Sequence, residues 1–526
     1  MGKIAKYLNQ LTVGNVFDNP EVLTRYSTDY SALEIKPKFV AFPESTEDVR
    51  KLVRFFSELA EKDIQVGVTA RGGGHDKNGA DLTNGIVIST TRLNKLLEID
   101  PRERLVHVQA GITLKELNTA LSVSGITIPI SGHEDETIGG LISNCPVDDQ
   151  AHKYGGIYDY VERIEVVLSN GDLLQTERLK KYAAAKVASE KTREGEIYHK
   201  IAKLCYDKKS LIESIDEKER NLAGYPFISK VVKKESMDLM PVFFGAEGTL
   251  GIITEVILRA VPLKNKEVRA IMTCKDLDTA ISYMDMVKEL RPERLDIYDL
   301  KIIQEARETG KNLDGIIRKL EDGWTVFTCF ADWGNRNLRK IEAMKNHLPK
   351  GTKFIIEDKN NRQILDEFEN SLVNYLSYVR DSERVPLLTD FSLPSYNLAK
   401  FDEDLRVLAE KTKLDLALYG SYASGNYNLR PKFNLEDADF RKKATTFLRA
   451  GAYIIERQGG KLTGGTPEGR LKAVVTNESM SDTEKEMYLE IKKIFDPQGI
   501  LNPDVKLGAT SQFTLTHFRK NNQIKL

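Results

Sequence analysis

Apolar and polar residues alternate over residues 63–70, where Ile64, Val66 and Val68 share one face, and this period of two predicts a β-strand. A second β-type run, rich in Ile and Val, occupies residues 82–89. Before the first strand, Ser45 and Asp48 stand at the ends of a capping-box pattern, the usual start of a helix. The apolar residues that follow it at helical spacing are Val49, Leu52, Val53, Phe56 and Leu59.

The same two periods continue along the chain, and beyond Pro262 the pattern changes to strands and amphipathic helices. Helices and strands mix without strict alternation of strand and helix, which favours an α+β fold. The predicted elements are a strand over residues 105–110, a capping box from Thr113 to Glu116 that opens a helix through Leu121, a hairpin at Asn170-Gly171, a strand over residues 325–330 and a helix over residues 367–380.

A run of glycines follows the first predicted strand directly, in RGGGHDKNGA over residues 71–80. Glycines lack Cβ, so successive main-chain N–H groups can turn inward and form a concave binding surface for an anion such as a pyrophosphate. The next predicted element is a strand and not a helix, which excludes the context of a Rossmann or Walker phosphate loop. The loop therefore predicts a phosphorylated cofactor held in another kind of fold.

The charges of the 526-residue chain nearly cancel, with 77 Lys and Arg against 78 Asp and Glu and a net charge of -1. This balance gives no field that would attract nucleic acid or an anionic membrane. No apolar stretch is long enough to span a bilayer and the start lacks a signal-peptide pattern, so we expect a cytoplasmic protein of two or three domains. The four cysteines are too far apart to ligate a zinc ion or an iron–sulfur cluster.

Glycine-rich motifs extend over nearly the whole chain: RGGGHDKNGA at 71–80, DETIGGLISN at 135–144 with YGGIYDYV at 154–161, FFGAEGTLGIITE at 243–255 and DPQGILNP at 496–503. In order and spacing they resemble the flavoprotein superfamily of vanillyl-alcohol oxidase and p-cresol methylhydroxylase. The resemblance implies a p-cresol-methylhydroxylase-type FAD-binding fold of two subdomains, with a cap domain of α+β class that contains an antiparallel sheet. It also implies FAD as the cofactor.

By this resemblance the FAD-binding domain covers residues 1–262 and the cap, or substrate, domain covers residues 263–489. Residues 490–526 would return to the FAD-binding domain. A stretch dense in Lys and Glu, about residues 179–234, interrupts the first domain. It has the pattern either of a solvated insertion or of a docking surface for another subunit.

The resemblance also assigns residues around the cofactor. The backbone of the glycine loop would hold the FAD pyrophosphate. Residues 137–140 and 143–144 would form the opposite wall, and residues 248–253 would run beside the adenine and ribose. The set implied in this way is Arg71, Gly72, Gly73, Gly74, His75, Asp76, Asn78, Gly79, Thr137, Ile138, Gly139, Gly140, Ser143, Asn144, Tyr154, Gly155, Ile157, Glu247, Gly251, Ile252, Ile253 and Asn502.

His75 has two interpretations. Many hydroxyacid dehydrogenases of the superfamily carry Thr at this position, whereas the Arg-x-Gly-Gly-His-Asp pattern resembles the berberine-bridge-type oxidases, in which this histidine bonds covalently to the flavin 8α carbon. A neutral imidazole is a competent nucleophile towards that activated methyl group. FAD is therefore expected either covalently bound through His75 or held by contacts alone.

Two motifs of the C-terminal half, YGSYASGNYNLRP at 419–431 and GGKLTGGTPEG at 459–469, resemble the D-2-hydroxyacid dehydrogenase branch, which includes D-lactate dehydrogenase and the glycolate oxidase flavin subunit. That branch carries metal-binding histidines and a glutamate in these motifs, and the metal site also supplies its catalytic base. The residues that stand there instead predict that the protein has no catalytic metal: Ser421, Asn428, Gly465 and Thr466.

The same resemblance places Arg380 where the branch grips the substrate carboxylate, which a guanidinium can do through two parallel hydrogen bonds. Asn426 is retained from the motif. With the histidines replaced, removal of the substrate hydroxyl proton would fall to Tyr422, Tyr427 or Glu468. A tyrosine base requires nearby positive charge, since the ordinary pKa of a phenol is about 10.

Three functions are open at this point. The first is a metal-independent FAD-dependent dehydrogenase that oxidises a 2-hydroxyacid or sugar-derived acid by hydride transfer to flavin N5 and passes the electrons to an external acceptor. The second is an oxidase that uses dioxygen on an alcohol, sugar or lactone, with FAD bound to His75. The third is a flavin subunit of a larger electron-transfer complex with an iron–sulfur partner.

Overall fold

The computed structural model of the chain describes residues 2–215, 220–264, 267–309, 323–332, 336–360, 362–377, 384–434 and 437–519. Strands and helices mix throughout this part of the chain, and the α+β class is confirmed. Its strands are β1 (Asn15–Phe17), β2 (Phe39–Phe42), β3 (Val68–Arg71), β4 (Ile86–Ser89), β5 (Leu96–Asp100), β6 (Leu105–Gln109), β7 (Ile126–Thr127), β8 (Val161–Val167), β9 (Leu173–Gln175), β10 (Leu179–Lys180), β11 (Ser236–Met237), β12 (Ile252–Arg259), β13 (Val261–Pro262), β14 (Glu267–Cys274), β15 (Arg294–Asp299), β16 (Trp324–Ala331), β17 (Lys353–Ile356), β18 (Leu388–Ser392), β19 (Leu416–Ser421) and β20 (Asn426–Pro431).

The strands form three main sheets. A four-stranded sheet has the order β1-β2-β4-β3, with β4 parallel to both β2 and β3. A five-stranded antiparallel sheet has the order β5-β6-β12-β8-β9. The C-terminal half contributes a seven-stranded antiparallel sheet in the order β17-β14-β16-β15-β19-β20-β18, and short ribbons pair β10 with β11 and β7 with β13. The antiparallel sheet predicted for the cap is thus present.

Helices cover the faces of these sheets. Among the described residues no helix is both long enough and apolar enough to cross a membrane. The α-helices are Lys3–Leu11, Pro20–Arg25, Thr46–Ala60, Leu114–Ser122, Ile138–Asn144, Ala151–Tyr154, Lys181–Ala188, Arg193–Asp207, Lys209–Glu213, Leu277–Glu289, Leu300–Thr309, Arg336–Asn346, Arg362–Ser377, Leu398–Thr412, Phe440–Arg457, Ala473–Ser479, Asp482–Phe495 and Ser511–Thr516.

The strand predicted over residues 63–70 is shorter than its apolar alternation suggests. Asp63 has a φ of 61°, in the left-handed region, which interrupts extended backbone at the predicted start. Ile64 is exposed, and β3 begins only at Val68. The helix predicted after Ser45 is confirmed, and the Ser45 hydroxyl accepts a hydrogen bond from the Asp48 N–H at 3.2 Å.

The Lys- and Glu-rich stretch is only partly solvated. Its first helix, Lys181–Ala188, buries Ala184 alone. Its second helix, Arg193–Asp207, packs an apolar face against helix Asp482–Phe495 and joins the core of the five-stranded sheet. Charge density along the sequence therefore overstated how far this segment extends into solvent.

The C-terminal segment reaches back to the N-terminal sheet. Leu501 forms a parallel bridge with Val68, and the N–H of Asn502 donates to the carbonyl of Val68 at 2.8 Å. These bonds join residues far apart in the chain beside the glycine loop. The domain boundaries at residues 262 and 489 stay predictions.

Candidate active site

The glycine loop after β3 folds around the side chain of Asp76. The Asp76 Oδ1 atom accepts hydrogen bonds from the N–H of Asn78 at 2.8 Å and of Ala80 at 2.7 Å. Gly74 has a φ of +80°, and a Cβ there would lie 2.3 Å from the Arg71 guanidinium. Arg71 itself donates to the main chain of the N-terminal segment at 2.8 Å, so it supports the loop from behind.

The wall facing the loop begins at Thr137. Its hydroxyl accepts from an N–H in the first turn of the following helix at 3.2 Å. A Cβ on Gly72 would lie 2.1 Å from Thr137 Oγ1, and a Cβ on Gly73 would lie 2.6 Å from the Asp135 carbonyl oxygen. The glycine loop and this wall are therefore in contact, at positions where residues with a side chain do not fit.

A cleft runs between the loop and the wall and contains about 840 Å³ of empty space, including the part open to solvent. Main-chain and side-chain atoms from the loop, from the wall and from the start of β12 line it. The lining residues are Ala70, Arg71, Gly72, Gly73, Gly74, His75, Asp76, Ala80, Asp81, Thr90, Glu136, Thr137, Gly139, Gly140, Leu141, Ser143, Asn144, Pro146, Glu247, Gly248, Gly251 and Ile253.

Glu247 forms a third wall and is tied to the C-terminal segment. Its carboxylate accepts from the N–H of Gly469 at 2.9 Å, and its carbonyl accepts from the Asn502 amide at 2.6 Å. The same Asn502 nitrogen donates to the carbonyl of Ala80 at 2.8 Å. Asn502 thus links this wall to the glycine loop.

His75 lines the cleft as a neutral imidazole. Burial, with the neighbouring His133 and Arg71, lowers the pKa of His75 to about 3. Its ring stacks on His133 at a centroid distance of 4.5 Å and meets the edge of Tyr30 at 4.9 Å. At neutral pH the side chain therefore carries an unprotonated ring nitrogen.

The seven-stranded sheet presents polar side chains beside this cleft. Asp296 on β15 is opposite Ser421 on β19, and Ser421 is opposite Asn426 on β20, so the three side chains share one face. The Asn426 amide donates to the carbonyl of Val147 at 2.8 Å. Val147 follows Pro146, a lining residue of the cleft, so this polar face borders the cleft.

An ion pair joins the glycine loop to this face. Lys77 Nζ donates to the two Asp390 carboxylate oxygens at 3.0 and 3.1 Å, while the N–H of Asp390 donates to Asn428 Oδ1 at 3.0 Å. The Asp390 side chain is 8% exposed and that of Lys77 is 33% exposed. Burial alone would raise the pKa of Asp390, but the nearby Lys77 and Lys472 hold it below its ordinary value.

A buried ammonium group lies where the hydroxyacid branch would have its metal ligands. Lys472 Nζ donates to Thr466 Oγ1 at 2.9 Å and to the Thr466 carbonyl at 3.2 Å. Burial lowers the pKa of Lys472 to about 8, although Asp390 and Asp76 favour its charged form. Within the described ranges no group of three or more His, Cys, Asp or Glu side chains is arranged to hold a metal ion.

The two tyrosines predicted as bases lie in the apolar core of the cap. The Tyr422 hydroxyl donates to Asp285 Oδ1 at 2.6 Å, and the Tyr427 hydroxyl has no hydrogen-bond partner in the described part of the chain. Burial raises the pKa of each phenol above its ordinary value, which opposes a role as base.

The sequence also predicts catalytic roles for Glu468 and Arg380. Glu468 is fully buried, and its carboxylate accepts a hydrogen bond from Lys506 Nζ at 2.9 Å. Arg380 lies outside the described residues.

The sequence model of the FAD binding domain matches residues 37–177, and that of the C-terminal domain of FAD linked oxidases matches residues 263–505. The chain belongs to the FAD-linked oxidases. FAD is therefore its cofactor, as the glycine motifs predicted. Most residues that line the cleft lie within the first matched region, and the others, Glu247 to Ile253, lie between the two matched regions.

Curated relatives share the pattern over most of this chain. The D-2-hydroxyglutarate dehydrogenase of Pantoea ananatis is 26% identical over 502 residues, which cover 91% of this chain and 48% of that protein. The glycolate oxidase subunit of Bacillus subtilis is 24% identical over 481 residues, which cover 89% of this chain and 88% of that one. The chain spans about half the length of the D-2-hydroxyglutarate dehydrogenases that it matches.

A solved structure supports the predicted fold. The substrate-bound crystal structure of p-cresol methylhydroxylase superposes with a TM-score of 0.66 at 14% identity and covers 97% of each chain. At this identity the likeness concerns the fold alone. The FAD-binding fold that the resemblance implied is confirmed.

The cleft of this FAD-linked oxidase fits its cofactor. The positions that touch across the loop and the wall tolerate only glycine, so main-chain N–H groups can approach the two phosphates closely. Asn144 Oδ1 lines the cleft, buried and without a partner among the described residues, which suits a ligand with hydrogen-bond donors. Arg71, Gly72 to Asp76, Thr137 and Ser143 are the residues that would surround FAD.

Some residues predicted around FAD lie behind the lining rather than in it. Asn78 is fully buried and bonds to Thr466 and Pro467 of the cap at 3.2 Å, so it joins the loop to the cap. The Tyr154 hydroxyl accepts from Lys264 at 2.6 Å. The other predicted residues outside the lining are Gly79, Ile138, Gly155, Ile157, Ile252 and Asn502.

Sequence reasoning missed several residues of the site. Glu136 and Lys77 stand inside the quoted motifs, but nothing in their spacing shows that their side chains carry chemistry. Asp390 belongs to no motif, and only the fold brings it to the loop. The missed lining residues are Ala70, Ala80, Asp81, Thr90, Glu136, Leu141 and Pro146.

Proposed function

We propose that this FAD-linked oxidase is a dehydrogenase that oxidises the hydroxyl group of a 2-hydroxyacid or a sugar-derived acid. The names of the curated relatives support this class, since they act on D-2-hydroxyglutarate and glycolate. The observation that carries the proposal is the position of the polar sheet face, where the Asn426 amide bonds to the carbonyl of Val147, the neighbour of the lining residue Pro146. On this side of the cleft Asp390 pairs with Lys77, which directly follows the lining residue Asp76. A small polar acid bound there would lie between the cofactor and charged groups.

The chain's own residues bind, orient and enclose. The glycine loop and Thr137 would hold the phosphates of FAD. The hydrogen bonds made by Asn78 and Asn502 keep the loop, the wall and the cap in fixed positions relative to one another. The polar face of the cap sheet borders the cleft and would reduce the access of water to the reacting carbon. FAD, when bound, accepts the two electrons and the hydrogen that leave the carbinol carbon of the substrate.

A panel of substrates tests the class. The purified protein is mixed anaerobically with D- and L-2-hydroxyacids, polyols and aldoses, and bleaching of the flavin absorbance is followed. We expect one or more 2-hydroxyacids or sugar-derived acids to bleach the flavin, and matched alcohols without a carboxylate to leave it oxidised. Bleaching by polyols or aldoses alone would overturn the proposal.

We also propose that turnover needs no divalent metal. Ser421, Asn428, Gly465 and Thr466 are poor ligands, and the Lys472 ammonium adds positive charge beside Thr466. Dialysis against EDTA followed by assay in metal-free buffer should leave kcat within about twofold of the untreated enzyme. Loss of activity that returns with zinc or manganese would contradict this proposal.

His75 favours a second candidate, an oxidase with covalently bound FAD. Its neutral ring nitrogen lines the cleft and could attack the flavin methyl group. Acid precipitation separates the cases, because covalent flavin stays yellow in the pellet and His75→Ala should release it. Hydrogen peroxide formed during turnover would favour the oxidase, and its absence would favour transfer to another acceptor.

A role as one subunit of an electron-transfer complex is the remaining candidate. The Bacillus subtilis relative is named as a subunit, and helix Lys181–Ala188 is largely exposed here. Size-exclusion chromatography of native extract tests it. Elution with an iron–sulfur protein would support a complex, and elution at the mass of the chain would oppose it.

A further inference from the structure

Three charged side chains from separate parts of the chain influence one another beside the cleft. Lys77 belongs to the glycine loop, Glu136 precedes the capping residue Thr137, and Asp390 belongs to β18 of the cap. Lys77 and Asp390 are bonded at 3.0 Å, and both influence the charge of the Glu136 carboxylate. Among the described residues, Lys77 is the cation that acts on the Glu136 carboxylate.

Glu136 is the member of this group that opens to the cleft. It lines the cleft, and one of its carboxylate oxygens would lie 2.4 Å from a Cβ on Gly132, so the absence of a side chain there leaves room for the carboxylate. The charged groups that face it are Lys77, Asp390 and Asp148. Its carboxylate therefore remains available to a bound molecule.

Lys77 is held in place but not enclosed. Its ammonium group has three N–H donors, and the two bonds to Asp390 come from one side. Burial would lower the pKa of Lys77, but Asp390 outweighs this effect and keeps the pKa above its ordinary value. A third of its side chain stays exposed, so a permanent positive charge with a spare donor borders the site.

We infer that Lys77 and Glu136 act together on the substrate hydroxyl, with Lys77 donating a hydrogen bond to the hydroxyl oxygen and Glu136 removing the hydroxyl proton. Asp390 is the positioning residue that orients Lys77. The inference rests on the proposed function and deepens it, because it names the base and the charge that replace the metal and histidine of the hydroxyacid branch. The substrate class it requires is a small molecule with a secondary hydroxyl next to a carboxylate.

The proton transfer balances without a further reagent. The O–H bond of the substrate breaks and its electron pair stays on the oxygen, while the proton bonds to a carboxylate oxygen of Glu136. The Lys77 ammonium stabilises the negative charge that develops on the substrate oxygen. Glu136 then returns the proton to solvent through the open side of the cleft, and Lys77 remains protonated throughout.

The protonation states suit these roles. Burial raises the pKa of Glu136 to about 7, even though Lys77 and the His133 N–H favour the ionised form. A base with this pKa is ionised in about half of the molecules at pH 7, so kcat should rise as the pH passes through about 7. Burial also raises the pKa of Asp148 to about 8, so Asp148 needs its own control.

Glu136→Gln tests the base in the FAD-loaded enzyme. We expect kcat to fall by about 10²- to 10⁴-fold and the rise near pH 7 to disappear, with unchanged FAD content. Glu134→Gln is the matched control, because Glu134 is exposed and pairs with Lys115 at the surface. Asp148→Asn should keep the rise, which assigns it to Glu136.

Binding of oxalate gives a readout that is independent of turnover. In the wild type, ionised Glu136 repels this dianion, so its dissociation constant measured by calorimetry should increase as the pH rises through 7. Glu136→Gln should bind oxalate with no such dependence. Lys77→Met should weaken oxalate binding at least tenfold. Because this change leaves the buried Asp390 carboxylate without its partner, the single variant could fail to fold. The double variant with Lys77→Met and Asp390→Asn removes that charge and is then used for the same measurement.

Each outcome is decisive. Suppose that 2-hydroxyacids bleach the wild-type flavin, and that Glu136→Gln keeps kcat within threefold and also keeps the pH dependence of oxalate binding. The inference is then wrong and the proposed function stands. If no 2-hydroxyacid bleaches the wild type, the proposed function and the inference fail together. Loss of both pH dependences in Glu136→Gln, with Glu134→Gln unaffected, supports the inference.

Discussion

The FAD cleft and the polar face of the cap sheet illustrate two ways of building a site. In the cleft the chemistry belongs largely to the backbone. At Gly72 to Gly74 the lack of a side chain is what matters, because a Cβ there would overlap with neighbouring atoms. Where the sheet face meets the loop it belongs to side chains, such as Asp390 of the sheet and Lys77 of the loop, that come together only in the folded chain. The first kind of site leaves a pattern in the sequence, and the second leaves almost none.

The two regions depend on each other through buried charges. Lys506 Nζ lies 2.9 Å from Glu468 of the cap and 3.4 Å from Glu247 of the FAD cleft, and all three side chains are at most 1% exposed. Glu468 also accepts from the N–H of Gly224 at 2.8 Å. Burial, and to a smaller extent the neighbouring Glu468 carboxylate, raise the pKa of Glu247 to about 8, although the positive charge of Lys506 acts to lower it. The cation therefore serves two carboxylates, one from each region.

The largest expected effect is that of Lys506→Met, which breaks this junction. It leaves two buried carboxylates without their cation and should lower the free energy of unfolding by about 3–5 kcal/mol, measured by urea denaturation. Lys400→Met removes an exposed pair with Glu403 and should change little. If both variants unfolded at the same urea concentration, the two regions would not depend on this charge.

The next effect separates backbone chemistry from side-chain chemistry. Gly72→Ala adds a Cβ that would lie 2.1 Å from Thr137 Oγ1, so the loop and the wall must move apart. An overlap of this kind costs about 1–3 kcal/mol, and FAD affinity measured by fluorescence titration of the apoprotein should fall about tenfold to a hundredfold. Stability of the cap should change much less.

Gly508→Ala is the control for this prediction. Gly508 is exposed and does not adopt the left-handed conformation, and a Cβ at this position would meet no described atom within 4 Å. The variant should bind FAD like the wild type. Equal FAD affinity in Gly72→Ala and the wild type would mean that the phosphates are not held where the loop meets the wall.

The sequence predicted the backbone part of this molecule well. The glycine loop and the hairpin at Asn170-Gly171 are present as local elements because each depends on the conformational freedom of glycine or on a short-range turn. The opposing wall is the start of a helix capped by Thr137, in which Gly139 allows close packing against Ala110. The strand before the loop was predicted too long, since alternation of apolar residues cannot reveal the left-handed conformation of Asp63. Short-range patterns therefore carried most of the fold class.

The side-chain part could not be predicted in the same way. Asp390 lies 313 residues from Lys77 along the chain, and no spacing rule connects them. Tyr422 and Tyr427 were chosen because they stand in a motif, but the pleat of β20 directs Tyr427 to the face opposite Asn426 and Asn428. Which face of a strand borders a cleft depends on the register of the whole sheet.

The smallest expected effect belongs to Tyr427→Phe, and it tests the assignment of the two faces. The Tyr427 hydroxyl is buried among apolar side chains with no partner in the described residues, so its removal relieves an unsatisfied polar group. The free energy of unfolding should stay the same or rise by up to about 1 kcal/mol, and kcat with the best substrate should stay within twofold. A fall in kcat of tenfold or more at unchanged stability would return Tyr427 to the reacting site. The proposed reacting site would then extend beyond the polar face of the sheet. The contrast between the two regions would need a third component, in the apolar core of the cap.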